Sequence, residues 1–271
     1  MPRDAEPQAE FRNELLRALP PEEQELLAPL LEPVELRYGM VVSDINTPME
    51  YLYFPATGIV SSVSVMADGS AVETATVGRE GMAPIAPFLG VTMTPEHLFV
   101  QVPGSGHRLR LEAFEQLISR LPTLASLLRR YTVALFTLIA QNSGCNRKHT
   151  MVQRCARWIA TTNDMVGRDR FEMTHLVLSQ MLGVRRASVT ESALVLQREG
   201  AISYQRGIIE IKDRGALEAQ ACECYRIIRS TFDRLLGQGA GADPLAEVRL
   251  SDHGMTRAGD GAPLEEAEQL G

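Results

Sequence analysis

The sequence predicts an α+β chain in which a small antiparallel β domain, a long amphipathic helix and a compact helical domain with a β hairpin follow one another. Three observations carry that prediction. Between residues 34 and 111 apolar residues alternate in short runs broken by Gly and Pro. From Pro122 they recur at helical spacing. Past residue 150, helical runs flank Gly183 and lead into a second alternating stretch.

Length and charge bound the classes. A chain of 271 residues, 45% of them apolar, is long enough for one or two sizeable cores without staples. The net charge of −7 hides an asymmetry: −7 over residues 1–144, +5 over 145–236 and −5 over 237–271. Only the middle block would attract nucleic acid. No run free of polar residues other than Thr, Thr132–Ala140 included, reaches the roughly 18 needed to span a bilayer. Met1-Pro2-Arg3-Asp4-Ala5-Glu6 lacks the basic region and apolar run of a signal peptide. Membrane, secretory and collagen-like classes are excluded on this reading, and a cytoplasmic location is expected. Four cysteines, at 145, 155, 222 and 224, do not make a disulfide framework. Cys222 and Cys224, if helical, point about 200° apart and cannot share a metal or a bridge. Buried thiols in a reducing compartment are expected, with no metal and no cofactor.

In chain order, residues 1–10 are polar and expected to be flexible. Phe11–Leu19 and Pro21–Leu31 read as short helices, the second opened by Pro20-Pro21 with Glu22, Glu23 and Glu25 at its positive end. Val34, Leu36 and Tyr38 alternate before Gly39, and Leu52 and Phe54 before Pro55. Ile59–Met66 and the run from Val72 to Thr76 flank Asp68-Gly69, a hairpin turn because both residues tolerate positive φ. Leu98, Val100 and Val102 follow, before Pro103-Gly104. Short strands at this spacing suggest a small antiparallel sandwich or barrel. Glu112–Arg120 is helical, and Pro122 begins the long helix. There Leu124, Leu128, Tyr131, Leu135 and Leu138 repeat at spacings of 4, 3, 4 and 3. That seam fits either ordinary core or a homodimer coiled coil, and the regular 3.5 period favours the dimer. Gly237–Gly271 has the composition of a disordered acidic tail.

Beyond a hinge near His149-Thr150, Met151–Met165 forms a helix anchored by Trp158. Met173–Leu182, Gly183 and Arg186–Arg198 have helix-turn-helix spacing, with Leu178, Leu182, Val184 and Val189 at the packing positions and small Ser179 at the closest approach. The second helix begins Arg185-Arg186-Ala187-Ser188-Val189-Thr190, which puts basic and hydroxyl groups where a helix enters a major groove. Ile202–Ile211 alternates around a tight turn, as a wing does, and carries Arg206. The expected DNA-binding residues are Arg185, Arg186, Ser188, Thr190 and Arg206. Arg186 is expected to pair with guanine, Arg206 to meet the adjacent backbone.

The stretch Leu182-Gly183-Val184-Arg185-Arg186-Ala187-Ser188-Val189-Thr190, the wing after Gly200-Ala201-Ile202, and the order of β domain, heptad helix, hinge and winged helix-turn-helix resemble the bacterial Crp/Fnr transcription regulators. Gly78-Arg79-Glu80-Gly81-Met82, Cys145-Asn146-Arg147 and Ala221-Cys222-Glu223-Cys224-Tyr225 also look familial. The resemblance covers roughly residues 11–236. It implies a cyclic-nucleotide-binding-like β-roll as sensor over 11–121 and a dimerisation helix and hinge over 122–148. A winged helix-turn-helix over 149–236 would follow. The implied function is a homodimeric, sequence-specific regulator on a two-fold-related operator, with double-stranded DNA, a second copy of itself and RNA polymerase as partners. An unidentified signal at the β-roll would modulate it.

The departures shape the mechanism. Where relatives cradle a cyclic phosphate with Gly-Glu-Leu and a nearby Arg, this chain has Gly81-Met82-Ala83 and Thr94-Pro95. It carries no Arg or Lys between Arg79 and Arg108. An anionic phosphate would lose its charge-assisted partner, so cyclic-nucleotide binding is not expected. No Cys precedes Cys145, which excludes a four-thiolate iron–sulfur cluster in the sensor. His97 and His107 are expected to be solvated or hydrogen-bonded rather than haem ligands. Ala187 stands where a glutamate is common in relatives, and Glu191 where an arginine is. An enzyme reading finds no clustered ligands, nucleophile elbow or phosphate loop, and none is expected. A sensor or protein-interaction module using the same folds without DNA is the alternative.

Overall fold

The computed structural model describes residues 11–237. The stretch 1–10 and the acidic tail, apart from Gly237, lie outside the described residues.

Helix α1 (Glu14–Arg17) is capped by Asn13, whose side-chain amide also donates to the carbonyls of Pro55 and Gly81, so the first turn is tied to the β domain. Helix α2 (Pro21–Leu27) opens on proline as expected. Seven strands follow: β1 (Glu32–Leu36), β2 (Val41–Ser43), β3 (Tyr51–Pro55), β4 (Ile59–Val65), β5 (Ala71–Val77), β6 (His97–Val102) and β7 (Gly104–Arg110). They make two antiparallel sheets, ordered β1-β7-β3 and β2-β6-β4-β5. Leu36, Leu52, Phe54, Val60, Val77, Leu98, Val100 and Leu109 are buried in one core. The β4–β5 hairpin turns at Asp68-Gly69, where Gly69 has φ of +80° and Asp68 Oδ1 accepts from the Ser70 amide at 2.9 Å. Strand β2 was not expected. Three residues with a register shift against β6 give the period-2 pattern too little length to stand out.

Helix α3 (Leu111–Leu117) leads to α4 (Pro122–Lys148). Buried Glu23 accepts from the amides of Thr123 and Leu124 at 2.8 and 3.0 Å, placing a carboxylate on the positive end of α4. By length and composition α4 could cross a bilayer. In this fold one face packs into the protein core and the other carries Arg129 and Arg130.

The heptad seam requires correction. Leu124, Leu128 and Tyr131 are 0% exposed, Leu138 1% and Leu135 7%, and all five belong to the core built with the β-roll. Tyr131 meets Phe232 of α9 (Cys224–Leu236) edge to face at 6.2 Å. These side chains are consumed within the protomer and have no surface left for a partner. The large apolar residues that α4 exposes are Val133 (54%), Phe136 (64%) and Ile139 (39%).

The C-terminal half comprises α5 (Met151–Val166), β8 (Arg170–Glu172), α6 (His175–Met181), α7 (Arg186–Arg198), β9 (Ile202–Gln205), β10 (Ile208–Ile211), α8 (Arg214–Gln220) and α9. Thr150 and Gln153 form a capping box that restarts the helix after the α4 terminus. Trp158 is buried as expected, and its indole N–H donates to Glu73 Oε1 on β5 at 2.9 Å, across to the β-roll. A second correction concerns the thiols. Cys222 precedes α9 instead of lying on it, so the 200° separation does not apply. Cys222 and Cys224 both pack with Cys145 in one buried cluster.

Candidate nucleic-acid interface

Helices α6 and α7 cross over a small apolar contact, and the sequence explains why. Leu178 and Val189 are fully buried, Leu182 nearly so, and Ser179 lets the chains approach. Gly183 turns the chain with φ of +62°, and the Val184 amide donates to the Ser179 carbonyl at 2.9 Å. Arg154 of α5 donates to the Leu182 carbonyl at 2.6 Å, placing a cation at the negative end of α6. The angle between the two helices is therefore held from outside as well as by packing.

Helix α7 buries Val189, Ser192, Ala193 and Leu196. That stripe turns Arg186, Ala187, Glu191, Leu194 and Arg198 outward. Arg185 sits at the N-cap with extended backbone, and no side chain caps the helix. The first turn therefore presents a positive end flanked by two exposed guanidinium groups, the arrangement that attracts phosphate oxygens. Among the expected residues, Arg185 and Arg186 are exposed, and Ser188 is half-buried. Thr190 is also half-buried and already engaged. Its hydroxyl lies 2.9 Å from His175 Nδ1 and 3.1 Å from the Arg186 carbonyl.

His175 was not singled out by sequence reasoning, and no local signal marks it. Burial and then the charge of Arg186 hold its pKa below the usual histidine value, so near neutral pH it is an uncharged hydrogen-bonding partner. Its ring meets Tyr204 of β9 edge to face at 4.3 Å. Tyr204 in turn donates its hydroxyl to the Met173 carbonyl at 2.6 Å, and its amide donates to Gln197 Oε1 of α7. The start of α6, the start of α7 and the hairpin are thus joined at one place.

The hairpin turns through Arg206 and Gly207, with φ of +51° and +77°, the two-residue turn that suits the twist of paired strands. Arg206 is exposed at its tip. Strand β8 pairs with the other edge of β10, completing a three-stranded wing. Leu194, at 53% exposure, lies on the outward face of α7 and was missed. The spacing of Val189, Ala193 and Leu196 could have revealed it, because Leu194 falls on the opposite side.

Residues 153–220 match the Crp-like helix-turn-helix domain. No curated protein sequence matches the chain. Several solved structures share its fold. FixK2 from Bradyrhizobium japonicum matches with a TM-score of 0.58 at 15% identity, covering 71% of this chain and 98% of its own. The c-di-GMP responsive global regulator CLP of Xanthomonas campestris gives 0.56 at 12% identity, over 71% and 99%. A regulator of the Crp/Fnr family from Eubacterium rectale gives 0.55 at 15%, over 76% and 96%. Identities this low carry the architecture and not the ligands.

Proposed function

We propose that the chain is a DNA-binding transcription regulator of the Crp/Fnr type, a reading supported by its Crp-like helix-turn-helix domain and the fold around it, and that it works as a homodimer reading a two-fold-related operator with α7. The observation that carries the reading is the uncapped, doubly basic start of α7, held against the wing by His175 and Tyr204. Arg186 enters the major groove and pairs with guanine, Arg185 and Ser188 reach phosphate or a base edge, and Arg206 meets the backbone beside it. Thr190 acts within the protein, orienting the first turn of α7 through His175 and the Arg186 carbonyl.

The dimer forms through the outward face of α4. Val133, Phe136 and Ala140, spaced 3 and 4 apart, are all exposed, with Ile139 beside them. That is the narrow apolar seam of a two-stranded coiled coil. Two α7 helices related by the dimer axis would reach half-sites about 34 Å apart. Such a dimer acts in the cytoplasm, and at a promoter it would meet RNA polymerase. No cyclic nucleotide belongs to this reading. The segment between Arg79 and Arg108 has no Arg or Lys, and Met82, Leu98 and Val100 fill the roll interior.

The experiment is selection of bound sequences from a random duplex library by the full-length protein. The expected result is an enriched two-fold-related motif whose half-site centres lie about one helical turn apart. A library that emerges without enrichment would favour the protein-interaction alternative.

A further inference from the structure

Four side chains outside the DNA-reading surface converge at the junction between α4 and α9. Cys145 lies in the last turn of α4, and His149 is the residue that ends it. Cys222 stands in the turn before α9, and Cys224 is its first residue. One ligand atom from each can be chosen so that all four lie within 4.8 Å of one another. The Cys145 and Cys222 sulfurs are 3.5 Å apart, and Cys224 Sγ is 3.5 Å from His149 Nδ1. All three cysteines are buried, and the His149 side chain is only 16% exposed.

We propose that these four residues form a closed, tetrahedral site for a zinc-class divalent cation, which staples the end of α4 to the start of α9.

The spacing fits the chemistry. With metal–sulfur bonds of about 2.3 Å and metal–nitrogen bonds of about 2.0–2.1 Å, a regular tetrahedron has S···S edges of about 3.8 Å and S···N edges of about 3.6 Å. Both observed separations fall close to those edges. Three sulfurs and one imidazole are the soft donor set that selects zinc over magnesium or calcium. Four protein ligands leave no open position, so the site is structural and not catalytic.

The surroundings also match. His149 turns Nδ1 toward the sulfurs, and its Nε2 lies 3.0 Å from Glu223 Oε1. A carboxylate on the far nitrogen fixes the ring and the tautomer of a metal-bound histidine. Gln141 Nε2 donates to Cys224 Sγ at 3.6 Å. Three thiolates, one neutral imidazole and a dication carry one net negative charge. Arg157 on α5 is 5% exposed and close enough to act electrostatically on Cys145 and Cys222, and its Nε has no hydrogen-bond partner. A disulfide between Cys145 and Cys222 would leave Cys224, His149 and Glu223 without a reason to converge. The pattern was hidden because the sequence reading placed Cys222 and Cys224 on one helix and assigned no metal.

The test uses the full-length protein purified under reductant, and neither readout involves DNA. Elemental analysis should find about one zinc per chain. The chain stripped by a chelator and titrated anaerobically with cobalt(II) should develop thiolate charge-transfer bands and the intense visible bands of four-coordinate cobalt, displaced on adding zinc. Cys145→Ser and Cys222→Ser should abolish both signals, while Cys155→Ala, at a buried thiol elsewhere, should keep them. Glu223→Gln should keep the cobalt spectrum and weaken zinc affinity about 10–100-fold. The proposal is overturned by a metal-free wild-type chain that gives only the pale spectrum of six-coordinate cobalt. It is equally overturned by iron and sulfide in place of zinc, or by a Cys145–Cys222 disulfide in the reductant-purified protein.

Discussion

Helices α4 and α7 are both amphipathic, and both bury one stripe in the protomer. They differ in what the other stripe presents. The outer face of α4 offers Val133, Phe136 and Ile139 among few charges, whereas the outer face of α7 begins with Arg185 and Arg186 and ends at Arg198. An exposed apolar stripe is stabilised by covering it with another apolar stripe, and a basic helix end by bringing phosphate to it. On the proposed function the contrast matches two partners, a second copy of the chain at α4 and nucleic acid at α7. It also separates inner from outer faces. On α4 both faces are apolar, so only packing decides which one is core.

The largest effect should come from the inner face of α4. Leu128→Glu plus Leu135→Glu removes two buried side chains worth about 1.5–3 kcal/mol each and inserts carboxylates into the core. Against a total stability of about 5–15 kcal/mol this should leave the chain unfolded, which circular dichroism would register. The outer-face counterpart, Val133→Glu plus Phe136→Glu, should keep the circular dichroism of the wild type and convert a dimer to a monomer by native mass. If the inner-face pair instead gave a folded monomer, the assignment of the two faces would be reversed.

A smaller effect is expected where β5 meets α5. Glu73 is buried between Ser61, Trp158 and the Arg157 charge, and burial pushes its pKa up to about 7 despite hydrogen bonds from Trp158 and Ser61 that lower it. A folded-state pKa above the unfolded one means that this group's contribution is complete below pH 4.5 and is lost as pH rises through about 7. Glu73→Gln should flatten that slope and recover up to roughly 3 kcal/mol above pH 8, measured by urea denaturation across pH. A slope unchanged by the substitution would mean that Glu73 is not the group responsible. At the wing, Arg206→Ala should weaken all duplexes alike and reduce the log–log salt slope by about one unit per protomer. Sequence-dependent losses at Arg206 would make it a base reader and blur its contrast with Arg186.

Much of this architecture was legible because its signals are local. The expected bounds of α7 coincide with the observed Arg186–Arg198, since Gly183 and a basic start mark one end and Gly200 the other. The wing was legible from alternation around a two-residue turn. What escaped depends on tertiary packing. Periodicity located a stripe on α4 but could not tell whether β-roll or partner covers it, and both faces carry apolar residues. The cysteine cluster joins residues 77 apart in sequence, and its recognition required knowing that the chain straightens at Cys222 before α9 begins. His175 was invisible for the same reason. Its role is set by Tyr204 and Thr190, which only the fold brings to it.

The central claim is that α7 reads bases through Arg186, and the most direct measurement is the affinity of Arg186→Ala for the selected operator and for a scrambled duplex at matched salt. Bidentate pairing with guanine predicts a loss of about 1–3 kcal/mol on the operator, a much smaller loss on the scrambled duplex, and relaxed preference at one position in each half-site. Equal losses on both duplexes would contradict it and leave Arg186 as a phosphate contact.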